Sequence, residues 1–184
     1  MSKAVKVCFG ILLLAVSSPL LAQQCIPVDH GTEEYIALNQ FWGTNIPICQ
    51  IAPGNNNAFA DRNNRVVWAD QNWLDSMASR YGSFAATGIL AHEWGHMVQG
   101  PISGTAAELQ ADCLAGVFMR GRGLPEQAVI EFATANWFAG DAEMSLGGHG
   151  TGLQRRNAAL RGYTGFQPAM NVYQLVQLCP ASFL

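Results

Sequence analysis

Three side chains within five residues have the types and spacing for metal-assisted hydrolysis. The stretch GILAHEWGHMVQG, Gly88 to Gly100, carries His92, Glu93 and His96. In a helix, positions four apart share one face, so the two histidines can present imidazole nitrogens to one metal ion at about 2.0–2.1 Å. Glu93 falls beside such an ion rather than on it, where a carboxylate can take a proton from a water that the ion activates. The opposing interpretation is a chance His-Glu-x-x-His string on a buried helix. A third ligand would separate the two, because a catalytic zinc site uses three protein ligands and keeps one position open.

Glu108 meets that requirement, twelve residues after His96 in AAELQADCLAG. Only the short segment Gly100–Gly104 joins the two helical stretches, so they form an antiparallel hairpin. His96 lies about one turn before the loop and Glu108 about one turn after it, which sets them at the same height. Asp112, one turn further along the same face, comes level with His92 and can hold that histidine in its metal-binding tautomer. Two alternatives stand. Thr105-Ala-Ala-Glu108 also spells a capping box, in which the glutamate bonds back to the backbone, and Asp112 could replace Glu108 as the ligand. Asp112 demands a partner in any case, since an acid on a buried helix costs several kcal/mol unless it is paired.

His149, between Gly148 and Gly150, is a candidate donor to the oxyanion that forms when water attacks a carbonyl, a contact worth a few kcal/mol. A solvated loop histidine is the plainer interpretation, and it is the one that suits His30. Tyr81 and Tyr163 are alternative donors, whereas Arg155 and Arg161 read as helix-surface or salt-bridge residues.

The elements that must position these groups are mostly helices. Gln71–Tyr81 predicts a helix ending at Gly82, and Ser83 is placed to cap a longer one from Phe84 to about Gln99, stopped by Gly100 and Pro101. Apolar residues cover nearly all faces of that second helix, which marks it as buried and central. Further helices are expected from about Thr105 to Arg120, from Pro125 to about Phe138, from a Thr151 cap to about Arg161, and from Pro168 to about Leu178. Residues 23–64 are rich in Pro, Gly and Asn and read as loop with room for short strands, while RVVWAD, Arg65 to Asp70, is a strand candidate. The expected class is α+β, mainly helical, with a small sheet beside the histidine-bearing helix.

The chain of 184 residues suits one domain with a real core. It opens with Lys3 and Lys6 ahead of an apolar run that Ser17, Ser18 and Pro19 interrupt, then Ala22, which reads as a signal peptide over residues 1–22 rather than a membrane span. Cleavage there removes both lysines and leaves a net charge of −5 on residues 23–184, eight arginines against thirteen acids. No basic patch for nucleic acid or anionic lipid remains. Four cysteines persist after cleavage, Cys25, Cys49, Cys113 and Cys179, an even set suited to two disulfides in an oxidising compartment, with three possible pairings and free thiols as the other outcome. The expected location is secreted or periplasmic.

ILAHEWGHMVQ followed by ELQADCLAGVF resembles the neutral zinc metallopeptidases, similar in turn to the gluzincin clan that includes the CAAX prenyl proteases. HGTGLQRRNAALRGY, His149 to Tyr163, and NNAFADRNNRVVWAD, Asn56 to Asp70, fit that layout too, the latter looking like the clan's edge strand. The resemblance runs from Asn56 to Cys179 and leaves Gln23–Asn55 unmatched. It implies a zincin-like fold, zinc held by His92, His96 and Glu108, Glu93 as base, and a peptide or protein substrate whose backbone pairs with Val66–Trp68. Two other functions fit the same residues. One is a secreted binding or inhibitor module with a closed structural zinc site, for which Cys113 or His149 would supply the fourth ligand. The other is a zinc amidase acting on the cell wall.

Overall fold

In the computed structural model, which describes Cys25, residues 32–143 and residues 147–181, the chain forms a mainly helical α+β domain with one small sheet. The expected leader, residues 1–22, and His30 lie outside the described residues. In chain order the elements are α1 (Thr32–Trp42), β1 (Ile48–Gln50), β2 (Ala58–Asp61), β3 (Val66–Ala69), α2 (Gln71–Tyr81), α3 (Phe84–Val98), α4 (Gly104–Gly121), α5 (Glu126–Ala139), α6 (Gly152–Gly165) and α7 (Val172–Leu178).

The sheet has the order β1-β3-β2, with β1 parallel and β2 antiparallel to β3. Cys49 and Phe59 both lie opposite Trp68. Val66–Trp68 therefore occupies the middle of the sheet, where both edges of its backbone are already paired. The open edge beside α3 belongs instead to Ala58–Asp61, a correction to the sequence expectation. Val66 and Val67 make an apolar strand that suits burial on both sides, whereas β2 sits among Asn and Gly residues and carried no such signal.

Asp70 organises the passage from sheet to helices. One carboxylate oxygen caps α2 by accepting from the Asn72 amide, and the other accepts from the Gly54 and Asn56 amides at 2.8 and 3.2 Å. One buried side chain thus fixes a helix start and the turn ahead of β2. The segment before β1 contains α1, where a loop was expected. It buries Ala37, Leu38 and Trp42, and Asn39 ties its end down by accepting from Thr44 Oγ1 and the Ile46 amide.

α3 is the central rod, with every residue from Ala85 to Gly95 buried. Its start is capped by a distant group: Glu131 of α5 accepts from the Phe84 amide at 2.9 Å, while Ser83 makes no side-chain cap. α4 packs along α3 and along α6 through positions without side chains. A Cβ on Gly95 would come within 2.8 Å of the Ala111 Cα, and Gly116 and Gly162 close the contact between α4 and α6. Glycine at these crossings lets backbones meet and brings the polar faces of neighbouring helices within bonding reach. Thr151 caps α6 in a reciprocal pair with Gln154, as expected.

Two disulfides are present, Cys25–Cys49 and Cys113–Cys179. The first fastens the chain before α1 to β1, and the second ties α7 to the core of α4. Such cross-links persist in oxidising compartments. No described helix is long and apolar enough to cross a membrane.

Candidate metal centre and cleft

The hairpin of α3 and α4 meets as the loop length requires. His92 and His96 face each other through their Nε2 atoms at 3.0 Å, and each Nε2 lies 3.4 Å from a carboxylate oxygen of Glu108. Three ligand atoms thus fall within 4.8 Å of one another, a group able to hold a metal ion. The capping-box alternative for Glu108 does not occur. α4 begins two residues earlier than that box requires, and Thr105 Oγ1 donates to the Gly148 carbonyl at 2.9 Å.

Asp112 sits behind the cluster rather than in it. Its Oδ1 lies 2.7 Å from Nδ1 of His92, at an angle outside that of a hydrogen bond, and a carboxylate so close favours the proton on Nδ1 and leaves the Nε2 lone pair for the side facing Glu108 and His96. Asp112 is fully buried and held from two further sides. Arg155 of α6 donates through Nε and Nη2 at 2.8 and 2.9 Å, and Asn136 of α5 donates at 2.6 Å. Burial opposes the charge on Asp112, but Arg155 and His92 overcome it and draw its pKa down to about 2. Arg155, expected on the helix surface or in a salt bridge, takes the second role only and is buried.

His96 has a matching support that the sequence reading missed. Gln99, one turn further along α3 and buried, places Nε2 2.8 Å from His96 Nδ1, while its Oε1 has no hydrogen-bond partner. Turning that amide over would let Oε1 accept from Nδ1–H, satisfying the orphaned oxygen and leaving the His96 Nε2 lone pair facing Glu108. With that rotation both imidazoles present unprotonated Nε2 atoms, so the donor set fits a divalent cation of zinc's preferences.

Without an ion, the two rings differ sharply in their affinity for a proton. Burial would depress His92, yet Asp112 and Glu108 raise its pKa to about 10. Burial and the neighbouring His92 depress His96 to about 4. Of the two rings, His92 is thus the one that favours the charged form and His96 the neutral one. Glu93 is buried beside them, and its pKa is raised to about 7 by burial first and by the charge of Glu108 next, against His92 and a hydrogen bond from the Ala60 backbone.

All three ligand side chains and Glu93 open onto a cleft of about 530 Å³, bounded by β2, α2, α5 and the α3–α4 loop. His149 lines it as well. Its backbone amide donates to Asp141 at 2.7 Å, its Nδ1 lies 3.6 Å from the same carboxylate, and its side chain is 63 % exposed. Tyr81 stacks on Phe138 and Tyr163 donates to the Leu124 carbonyl, so neither lines the cleft. Cys113 is committed to its disulfide and cannot serve as a fourth ligand. The spacing i+3 from His96 was a usable signal for Gln99; Asn136 and Arg155 reach Asp112 from other helices and left no local trace.

Compared with family models, characterised proteins and solved structures, the chain matches none of them.

Proposed function

We propose that the protein is an exported zinc-dependent metallopeptidase of the neutral zinc metallopeptidase type, acting in the periplasm or outside the cell. The observation that carries this reading is the convergence of His92, His96 and Glu108 at the floor of an open cleft, with a buried carboxylate, Glu93, on the adjacent helical position. His92, His96 and Glu108 would hold the ion. Bound zinc supplies Lewis acidity and lowers the pKa of water to about 7.

The chain's own groups do the rest. Glu93, held close to neutral pH by its burial, takes the proton of the attacking water and passes it to the leaving amine. Asp112 and Gln99 hold the two imidazoles in orientation. His149 donates to the developing oxyanion from the cleft wall. The backbone of β2 faces the same cleft and offers an extended substrate a pairing edge.

Loss of Cys113 as a fourth ligand weighs against a closed structural zinc site. The decisive experiment measures bound zinc together with hydrolysis of a mixed protein and peptidoglycan digest. Glu93→Gln is expected to keep about one zinc per chain and lose turnover by a factor of 10² or more; His96→Ala is expected to lose both. Unchanged turnover in Glu93→Gln removes the enzyme reading, and release of cell-wall fragments without peptide products transfers it to an amidase.

A further inference from the structure

The basic side chains that line the cleft each have a carboxylate beside them, Arg62 excepted. Arg155 is held by Asp112, His92 and His96 face Glu108, and His149 lies by Asp141. Arg62 forms no ion pair among the described residues. It follows the last residue of β2 and is exposed at the rim. The acid next to it in the chain, Asp61, is engaged elsewhere: Asn64 donates to both of its oxygens, at 3.0 and 2.7 Å.

The guanidinium is nonetheless fixed in place. Its Nη2 donates to the carbonyls of Gln99 and Gly100 at 3.0 and 3.2 Å, so the side chain spans from the sheet to the end of α3. Two neutral acceptors hold its position without cancelling its charge. Nε and Nη1 have no acceptor among the described residues, and their hydrogens suit the two oxygens of a carboxylate.

The distance to the metal centre sets the register. Gln99 and Gly100 come three and four residues after His96, about 4.5–6 Å along α3. The guanidinium adds the 3.0 Å of its hydrogen bond. Together that is the reach of about two to three extended residues. Gln99 and Ser103 line the same end of the cleft and add polar atoms without negative charge.

We infer that Arg62 is a specificity residue that receives a substrate carboxylate two to three residues from the scissile bond. The inference rests on the peptidase reading and names its substrate class, acidic peptides. An Asp or Glu side chain and the free C-terminus of a short peptide present the same group. A charge-assisted pair in a half-open cleft favours the acidic peptide by about 3- to 10-fold. That advantage shrinks as salt screens it.

The test uses the zinc-loaded protein carrying both disulfides and a bond first mapped in a peptide library. Around that bond, Glu, Gln or Lys is placed at each neighbouring position in turn, with the C-terminus free or amidated, and kcat/KM is measured. A Glu-to-Gln ratio of about 3 to 10 is expected at a position two or three residues from the bond, falling at about 0.5 M salt. Arg62→Met should bring the ratio to about one, Arg62→Glu should reverse it in favour of Lys, and Arg62→Lys should keep most of it. A preference for the free C-terminus that amidation abolishes, and that Arg62→Met also abolishes, supports the inference with the chain end as the source; one that survives amidation supports it with the side chain. A ratio near one in the wild type overturns the inference and leaves the peptidase reading in place. So does an Arg62→Met variant that slows all peptides alike at an unchanged ratio, the behaviour of a clamp on α3. If no peptide is cleaved, the peptidase reading fails. Titration of the same Glu and Gln peptides onto the zinc-loaded wild type and Arg62→Met then decides the site: tighter Glu binding that is lost with Arg62 sustains it, and equal binding ends it.

Discussion

Replacing Asp112 by Asn tests the polar scaffold under the site. The substitution keeps the size and one acceptor oxygen but removes the charge that holds Arg155 and orients His92. A carboxyl whose pKa falls from 3.8 to about 2 on folding contributes about 2–3 kcal/mol at neutral pH. Removing it also strands a buried guanidinium, so the expected loss in the metal-free protein at pH 7 is about 3–5 kcal/mol. The sign in acid follows from the depressed pKa. The contribution is complete above the unfolded value of 3.8 and is lost as pH falls through about 2, so the wild type should lose about 2 kcal/mol more than Asp112→Asn between pH 5 and pH 2. Urea unfolding in EDTA at stepped pH measures both numbers. Adding Arg155→Met to Asp112→Asn removes the stranded cation and should recover part of the loss. A single-variant cost under about 1 kcal/mol, or acid limbs that coincide, would refute the account of Asp112 as the paired hub of this network.

Three further outcomes are expected. Gln99→Leu should weaken zinc binding about 10- to 100-fold with little change in metal-free stability, read by competition with a chromophoric chelator; unaltered affinity would show that His96 needs no partner on Nδ1. Gly95→Ala should force α3 off Ala111 and cost about 1–3 kcal/mol, measured by urea unfolding, with a parallel loss of zinc affinity if the crossing sets the ligand spacing. Paired Cys113→Ser and Cys179→Ser should lower stability by about 4 kcal/mol, the loop-closure value for a separation of 66 residues, and expose α7 to proteolysis.

The candidate ligand pair and the carboxylate next to it were legible because helical periodicity alone puts His92 and His96 on one face with Glu93 beside them. Glu108 and Asp112 followed from a loop too short to permit anything but an antiparallel return. The helices from α2 onward announced themselves through apolar spacing and punctuation by Gly and Pro, and α6 through its cap. Tertiary contacts overrode local signals elsewhere. Ser83 looked like a cap, yet the Phe84 amide is bonded by Glu131, forty-seven residues further along. α1 hid among turn-forming neighbours because its burial comes from contacts with distant helices. Val66–Trp68 read as an edge strand, but which strand lies in the middle depends on pairing partners that no single stretch encodes.

The division has one physical origin. Interactions within a helical turn, or across a loop of a few residues, are dictated by backbone geometry that any local sequence must obey, and these brought the candidate ligand set together. Arg155 and Asn136 converge on Asp112 from residues 43 and 24 positions away, and Cys113 finds Cys179 across 66, through packing of whole helices at glycine crossings. Only the folded chain decides those meetings, because the free energy that selects them comes from surfaces buried together rather than from any segment by itself.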